Sequence, residues 1–295
     1  MNHSIRSLGI VGVGLIGGSL ALSLKRVMPE LKVLGYGRNT TNLDWAKEHG
    51  VITDRAAHLT DLGDCDLIVI ATPLGAMESV IDELAPHISS HTLLTDVGSA
   101  KSAVVEQIKR VAAKHPEADL LDRFVPGHPI AGREKSGAAA AKADLFDAHR
   151  VILTPIHENT DAAVKQVADV WELAGATVQN MTPDHHDEVL AATSHLPHLL
   201  AYQLVSTLAA MEDKREIFAY AAGGFRDFTR IAASDPVMWR DICLQNRDAI
   251  LPVLDQYMAD LKSMRDTLAT ANSGERLENV FSAAQAAKKR SDAAK

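Results

Sequence analysis

Between an apolar run over residues 8–11 and a helix-compatible stretch over 19–26 stands Val11-Gly12-Val13-Gly14-Leu15-Ile16-Gly17-Gly18-Ser19. Glycines at this spacing, set between a strand and a helix, describe a tight turn whose backbone admits an anion to the helix N-terminus. Gly12 permits the turn, Gly14 the close approach and Gly17 the contact of helix with strand, while Leu15 and Ile16 complete the loop. The chain is thereby constrained to open with a βαβ unit that cradles a dinucleotide pyrophosphate.

The pattern repeats. Short apolar runs at 8–11, 32–35, 67–71, 91–96 and 151–154 alternate with stretches at 19–26, 43–48, 76–84 and 102–114, where apolar residues return every three or four positions. A further helix is predicted over 161–173 and a short strand over 177–181, followed by Thr182-Pro183-Asp184 as a turn and helix start. Beyond it Leu190, Leu196, Leu199, Leu200, Leu204 and Leu208 trace an apolar helical face that Pro197 should kink or interrupt. Asp235-Pro236 reads as N-cap and first helical position of a run through Leu254, interrupted at Pro252. Asn272 and Glu275 are expected to form a capping box for a last helix ending in Lys288-Lys289-Arg290.

The expected fold class is therefore α/β: an N-terminal Rossmann-type parallel-sheet domain over residues 1–175, then an all-helical C-terminal domain over 176–295, with the changeover inside 156–182. At 295 residues two domains are expected. The helical part, rich in Ala, Leu and Met, is expected to bind substrate and to pair with a second copy in a homodimer.

Charge narrows the partners. Thirty Lys and Arg stand against 38 Asp and Glu, a net charge of −8 with the 13 His neutral, which argues against a nucleic-acid or membrane surface. Cys65 and Cys243 sit in apolar segments as core thiols and offer no paired metal motif, so no metal is expected. With neither a leader before the glycine element nor an apolar stretch of spanning length, a cytoplasmic location is expected.

The second strand ends in Gly37-Arg38-Asn39, where an NAD site ordinarily carries Asp or Glu for the ribose hydroxyls. Arg38, assisted by Asn39, offers a charge-assisted bond to a 2′-phosphate, so NADP is favoured and NAD remains possible. Thr72 and Pro73, and farther on Ser99, lie where strands end and helices begin, on the nicotinamide side of the cleft.

Val125-Pro126-Gly127-His128-Pro129-Ile130-Ala131-Gly132 is too punctuated for a regular element and holds a neutral-pH proton acceptor, His128, in a rigid loop. Together with the glycine element, it occurs in order with Asp96-Val97-Gly98-Ser99-Ala100-Lys101, Ser194-His195-Leu196-Pro197-His198, Gly223-Gly224-Phe225-Arg226-Asp227-Phe228-Thr229-Arg230, Ser234-Asp235-Pro236 and Trp239-Arg240-Asp241. The set resembles the prephenate and arogenate dehydrogenase family over roughly residues 8 to 265. The resemblance implies an enzyme of tyrosine biosynthesis that oxidises the ring carbinol of a cyclohexadienyl substrate with loss of carbon dioxide.

By that resemblance His128 accepts the hydroxyl proton, Ser99 orients the hydroxyl and His128, Arg230 grips a substrate carboxylate, and Ser194 and His198 border the substrate. Lys101 is cofactor-proximal or structural, and Asp187 and Asp227 are candidates to orient Arg230 or close a local charge network, or else serve as helix caps or surface charges. His185, His186 and Asp187 look metal-like, but an adjacent His pair lacks the one-face spacing of a metal helix. Another nicotinamide-dependent hydroxy-acid dehydrogenase, or a nucleotide-binding sensor that catalyses nothing, are the alternative readings.

Overall fold

A computed structural model describes residues 5–132, 135–211 and 216–293. The chain divides into two compact units, one through Arg247 and the other from Asp248 onward.

The first unit opens with β1 (Ser7–Val11), α1 (Leu15–Val27), β2 (Lys32–Tyr36), α2 (Thr40–Glu48) and β3 (Asp54–Arg55). It continues through β4 (Leu67–Ile70), α3 (Leu74–Leu84), β5 (Leu93–Asp96), α4 (Lys101–Lys114), α5 (Leu120–Arg123) and β6 (Phe124–Val125). These strands form one parallel sheet of order β3-β2-β1-β4-β5-β6. The order reverses between β1 and β4, so the loops after those two strands flank the crevice where such sheets take their ligand.

β4 reads Leu-Ile-Val-Ile and is buried throughout, as a central parallel strand covered on both faces should be. One face packs against Met77, Ile81, Val104 and Ile108 of α3 and α4; the other against Leu20 and Leu24 of α1. Each such Leu or Ile removed from water contributes about 1.5–3 kcal/mol.

The loop expected around His128 is partly regular, and it belongs to a second sheet that the chain's pattern did not announce. β7 (Gly127–Pro129) pairs antiparallel with β8 (Arg150–Leu153), His128 opposite Ile152, and after α6 (Asp161–Leu173) β8 pairs in parallel with β9 (Thr177–Asn180). Strands of three or four residues, one ending in Pro129, are too short to show an alternation. β9 lies beyond residue 175 yet completes this sheet.

From residue 183 every described element is helical: α7 (Pro183–Leu190), a π-helical turn (Ala191–His195), α8 (Leu196–Ala209), α9 (Glu216–Ala219), α10 (Gly223–Thr229), a 3₁₀ turn (Arg230–Ala233) and α11 (Pro236–Gln245). The interruption expected at Pro197 is a widening rather than a break: the helix runs on from α7 to α8, and the π turn that ends at His195 makes room for the ring and the missing N–H of Pro197. Asp235 caps α11 as expected, accepting from the amides of Val237 and Met238.

The run expected to continue through Leu254 is broken at Asn246, and α12 (Arg247–Leu268) carries Pro252 inside it. The second unit ends with α13 (Gly274–Ala293). Its expected capping box is not formed: Asn272 has φ +59°, a left-handed backbone suited to a turn, and the amide of Leu277 is taken by the Ser273 carbonyl.

Candidate active site

The glycine loop is built for a close approach. Gly12 has φ +95°, and a Cβ there would stand 2.5 Å from the Ala71 carbonyl oxygen; a Cβ on Gly17 would stand 2.7 Å from the Gly12 carbonyl oxygen and from Ile10. Gly14 begins α1 with no side-chain cap, and no acidic residue occupies the first turn. A Cβ on Gly14 would meet nothing within 4 Å, so the concave side, where half-buried Leu15 and Ile16 follow, is open. Across the topological switch, Thr72 carries a buried hydroxyl with no hydrogen-bond partner, and Pro73 follows as the residue preceding α3. An uncapped helix N-terminus, an open cradle and an orphaned hydroxyl fit the pyrophosphate and nicotinamide ends of a dinucleotide.

Arg38 is exposed just past the end of β2. Asn39 serves the fold, since its side-chain oxygen caps α2 by accepting from the Asn42 amide at 3.0 Å. The Asn42 side chain in turn donates to the Val13 carbonyl at 2.8 Å and accepts from the Ala138 amide at 2.9 Å, holding the glycine loop in place.

At the end of β5 lies a fully buried ion pair. Lys101 Nζ donates to Asp96 Oδ2 at 2.5 Å and to the Gly127 carbonyl at 2.6 Å, and Asp96 also accepts from the amides of Gly98 and Gly127. Burial pulls the Lys101 ammonium below its ordinary value while Asp96 supports the charge. Of the two roles the sequence left open for Lys101, the structural one is the one its contacts perform: they clamp the Ser99 segment against the strand that carries His128.

His128 is buried, with Nδ1 2.8 Å from His186 Nε2; His186 Nδ1 lies 2.7 Å from Asp187 Oδ1. Asp187 Oδ1 also accepts from the Lys101 amide at 2.7 Å and Oδ2 from the Ser102 amide at 2.9 Å. A carboxylate on α7 thus caps α4, which has no side-chain cap of its own. Burial pushes the Asp187 carboxyl up, but these bonds outweigh it and hold the group below the usual carboxylate range. Burial, with His186, Lys101 and His195 nearby, drives His128 well below the ordinary imidazole value, so the ring is neutral at physiological pH.

The metal-like appearance of His185-His186-Asp187 dissolves in this arrangement, since both nitrogens of His186 are engaged. Asp187 spends its oxygens on α4 and His186, not on Arg230.

A third group gathers on Trp239 of α11. His198 stacks on its indole at 3.5 Å between centroids, and His195 meets it edge-on at 6.1 Å. His198 Nδ1 donates to the carbonyl of half-buried Ser194, which leaves its Nε2 as an acceptor. His195 Nδ1 accepts from Asn246, whose amide also reaches the Asp187 carbonyl, and burial lowers this ring to about 4. Arg230 is exposed at the start of its 3₁₀ turn, and its charge is felt at His198.

His186, Asn246 and Trp239 are the members of this arrangement to which the sequence assigned no role in the site. His186 lies 58 positions from His128, and no spacing rule connects them.

Residues 20–180 match the model of the prephenate dehydrogenase nucleotide-binding domain, and residues 182–283 that of the prephenate dehydrogenase dimerization domain. The chain is 38% identical over 277 residues to a cyclohexadienyl dehydrogenase of Zymomonas mobilis, covering 93% of this chain and 92% of that protein. It is 38% identical over 284 residues to a prephenate dehydrogenase of Bacillus subtilis, covering 95% and 74%. Among solved structures, prephenate dehydrogenase from A. aeolicus in complex with hydroxyphenyl propionate and NAD+ superposes with a TM-score of 0.89 at 33% identity, over 98% of this chain and 99% of that one. The chain belongs to the prephenate and arogenate (cyclohexadienyl) dehydrogenase family, nicotinamide-dependent enzymes of tyrosine formation.

Proposed function

We propose that this chain oxidatively decarboxylates prephenate, arogenate or both, giving 4-hydroxyphenylpyruvate or tyrosine, with NADP the favoured acceptor and NAD also used. The observation that carries the reading is a buried, neutral imidazole, His128, held beside the carboxyl ends of the parallel strands by the Asp96–Lys101 clamp. The A. aeolicus relative was solved with NAD+ and a hydroxyphenyl acid, which supports both the cofactor class and the substrate class.

The loop of Gly12, Gly14, Leu15, Ile16 and Gly17, with Thr72, Pro73 and Ser99, would hold the cofactor, which when bound accepts the hydride. Arg38 beside Asn39 would meet a 2′-phosphate. His128 takes the proton of the ring hydroxyl, and Ser99 orients that hydroxyl. Arg230, with its planar fork of donors, grips a substrate carboxylate, and His198 and Ser194 border the substrate. As carbon dioxide leaves, the electron pair of the broken bond enters the ring and the ring oxygen takes a proton back. The base thus holds its proton only between the two events.

Residues 176–295, helical beyond β9, serve substrate binding and dimerisation in this reading, and residues 1–175 the cofactor. Support comes from the dimerization-domain match over 182–283 and from apolar side chains left exposed on α12 and α13: Leu251, Met258, Leu261, Val280 and Phe281. No described helix is long and apolar enough to cross a membrane.

Steady-state kinetics with both substrates and both cofactors test the reading, carbon dioxide release being followed alongside cofactor reduction. At least one combination is expected to give both products in equal amounts. Because burial lowers His128, its neutral form persists as the pH falls, so the acid limb of kcat/KM should lie below the ordinary imidazole value of about 6.5. His128→Asn should keep cofactor affinity and lose roughly 10²–10⁴-fold in kcat. Cofactor reduction without decarboxylation, or native turnover in His128→Asn, overturns the assignment.

A further inference from the structure

Asp187 is an acceptor toward every partner it has: two backbone amides of α4 and His186 Nδ1. An ionised carboxylate offers no proton, so His186 must carry its own on Nδ1, and a neutral ring protonated there presents Nε2 as a bare acceptor. The group facing that Nε2 at 2.8 Å is His128 Nδ1. Two lone pairs do not share a hydrogen bond, so His128 Nδ1 is the donor and the lone pair of the neutral His128 ring is confined to Nε2.

We propose that His186 and Asp187 are positioning residues for the base: they select the one tautomer of His128 in which Nε2 is free to take the substrate proton, and they offset the charge that His128 gains when it does. The proposal rests on the reading of His128 as the base. A buried imidazolium is costly, and a charge on His186, with Lys101 of α4 and His195 of the π-helical turn, would disfavour it further, so His186 serves His128 as a neutral acceptor. The carboxylates of Asp187 on α7 and Asp96 at the end of β5 favour positive charge on His186, the ring that His128 Nδ1 faces. An acceptor at Nδ1 that leads to the Asp187 carboxylate lets His128 hold a proton for the interval between hydride loss and carbon dioxide release. Because Asp187 also caps α4, the same carboxylate sets the helix that follows Ser99. Orientation of the base and placement of the residue that presents the hydroxyl to it therefore depend on one side chain.

The test begins on the native enzyme, with the ring nitrogens of its histidines labelled with ¹⁵N and His128 identified by difference from His128→Asn. At pH 7.5 the expected His128 signals are a protonated Nδ1 and an unprotonated Nε2. In His186→Leu, which removes the acceptor, the proton should move to Nε2 in part or whole, and kcat should fall roughly 10²–10³-fold at unchanged cofactor affinity, the range by which a misdirected general base is felt. His186→Gln, whose amide oxygen accepts from Nδ1–H, should keep the native tautomer and recover most of that loss. A native His128 protonated on Nε2, or a His186→Gln no better than a folded His186→Leu, overturns the positioning role. A tautomer shift in His186→Leu with undiminished kcat instead removes His128 from the base role on which the proposal stands.

Discussion

At the scale of single residues, the fit of the cofactor to this chain turns on Arg38. The strand before it ends without a carboxylate, and the guanidinium is exposed where the adenosine ribose of a bound dinucleotide would lie. Arg38→Asp removes the partner of a 2′-phosphate and supplies an acceptor for ribose hydroxyls, so the ratio of kcat/KM for NADP over NAD should fall by about 10-fold or more, a charge-assisted bond contributing about 1.5–3 kcal/mol. An unchanged ratio in cofactor-variation kinetics removes Arg38 from that role. The turn of the glycine loop was legible in the sequence because it is a local pattern, spacing after a strand; Arg38 and His128 were singled out on local signs too, but the strand that carries His128 was not foreseen. His186 was not legible, since an adjacent His pair says nothing about which ring turns inward, and the partner it finds comes from a strand 58 positions earlier.

At the scale of elements, the clamp between β5, α4 and β7 is held by charges that no water reaches. Lys101→Met leaves the buried Asp96 carboxyl with only two amides for company, and breaking a buried pair in this way costs about 3–5 kcal/mol. Urea denaturation should show that loss, and the double change Asp96→Asn with Lys101→Met should recover part of it. A loss under about 1 kcal/mol in the single variant would mean that the pair is not what fixes these elements. Four strands of the parallel sheet, β1, β2, β4 and β5, were readable because they are largely apolar runs separated by amphipathic helices of ordinary length, whereas the two-residue edge strands β3 and β6 were not; β4 and α6 stand close to where their periodicity predicts them. The small sheet of β7, β8 and β9 was not, because pairing partners this short are chosen by tertiary contact rather than by their own sequence. Asn272 misled for a related reason: the same short polar side chain that caps a helix also tolerates the left-handed turn it adopts here.

At the scale of the whole molecule, the exposed apolar side chains of α12 and α13 give the proposed dimer a physical motive. Sedimentation of the native protein is expected at twice the chain mass, and Phe281→Glu, which sets a charge among those side chains, should weaken self-association at least 10-fold. A monomeric native protein, or a dimer indifferent to the change, would relocate or remove the interface. The π-helical turn at Ala191–His195 has a consequence that belongs to lineage as much as to shape. A π turn lodges one residue more than an α turn and leaves the helix beyond it in phase, while His195 and His198, three positions apart, share the face that meets the indole of Trp239. Loss of one residue there is therefore expected to leave an ordinary α-helical turn with α8 still in phase, so length in this stretch is a poor measure of kinship.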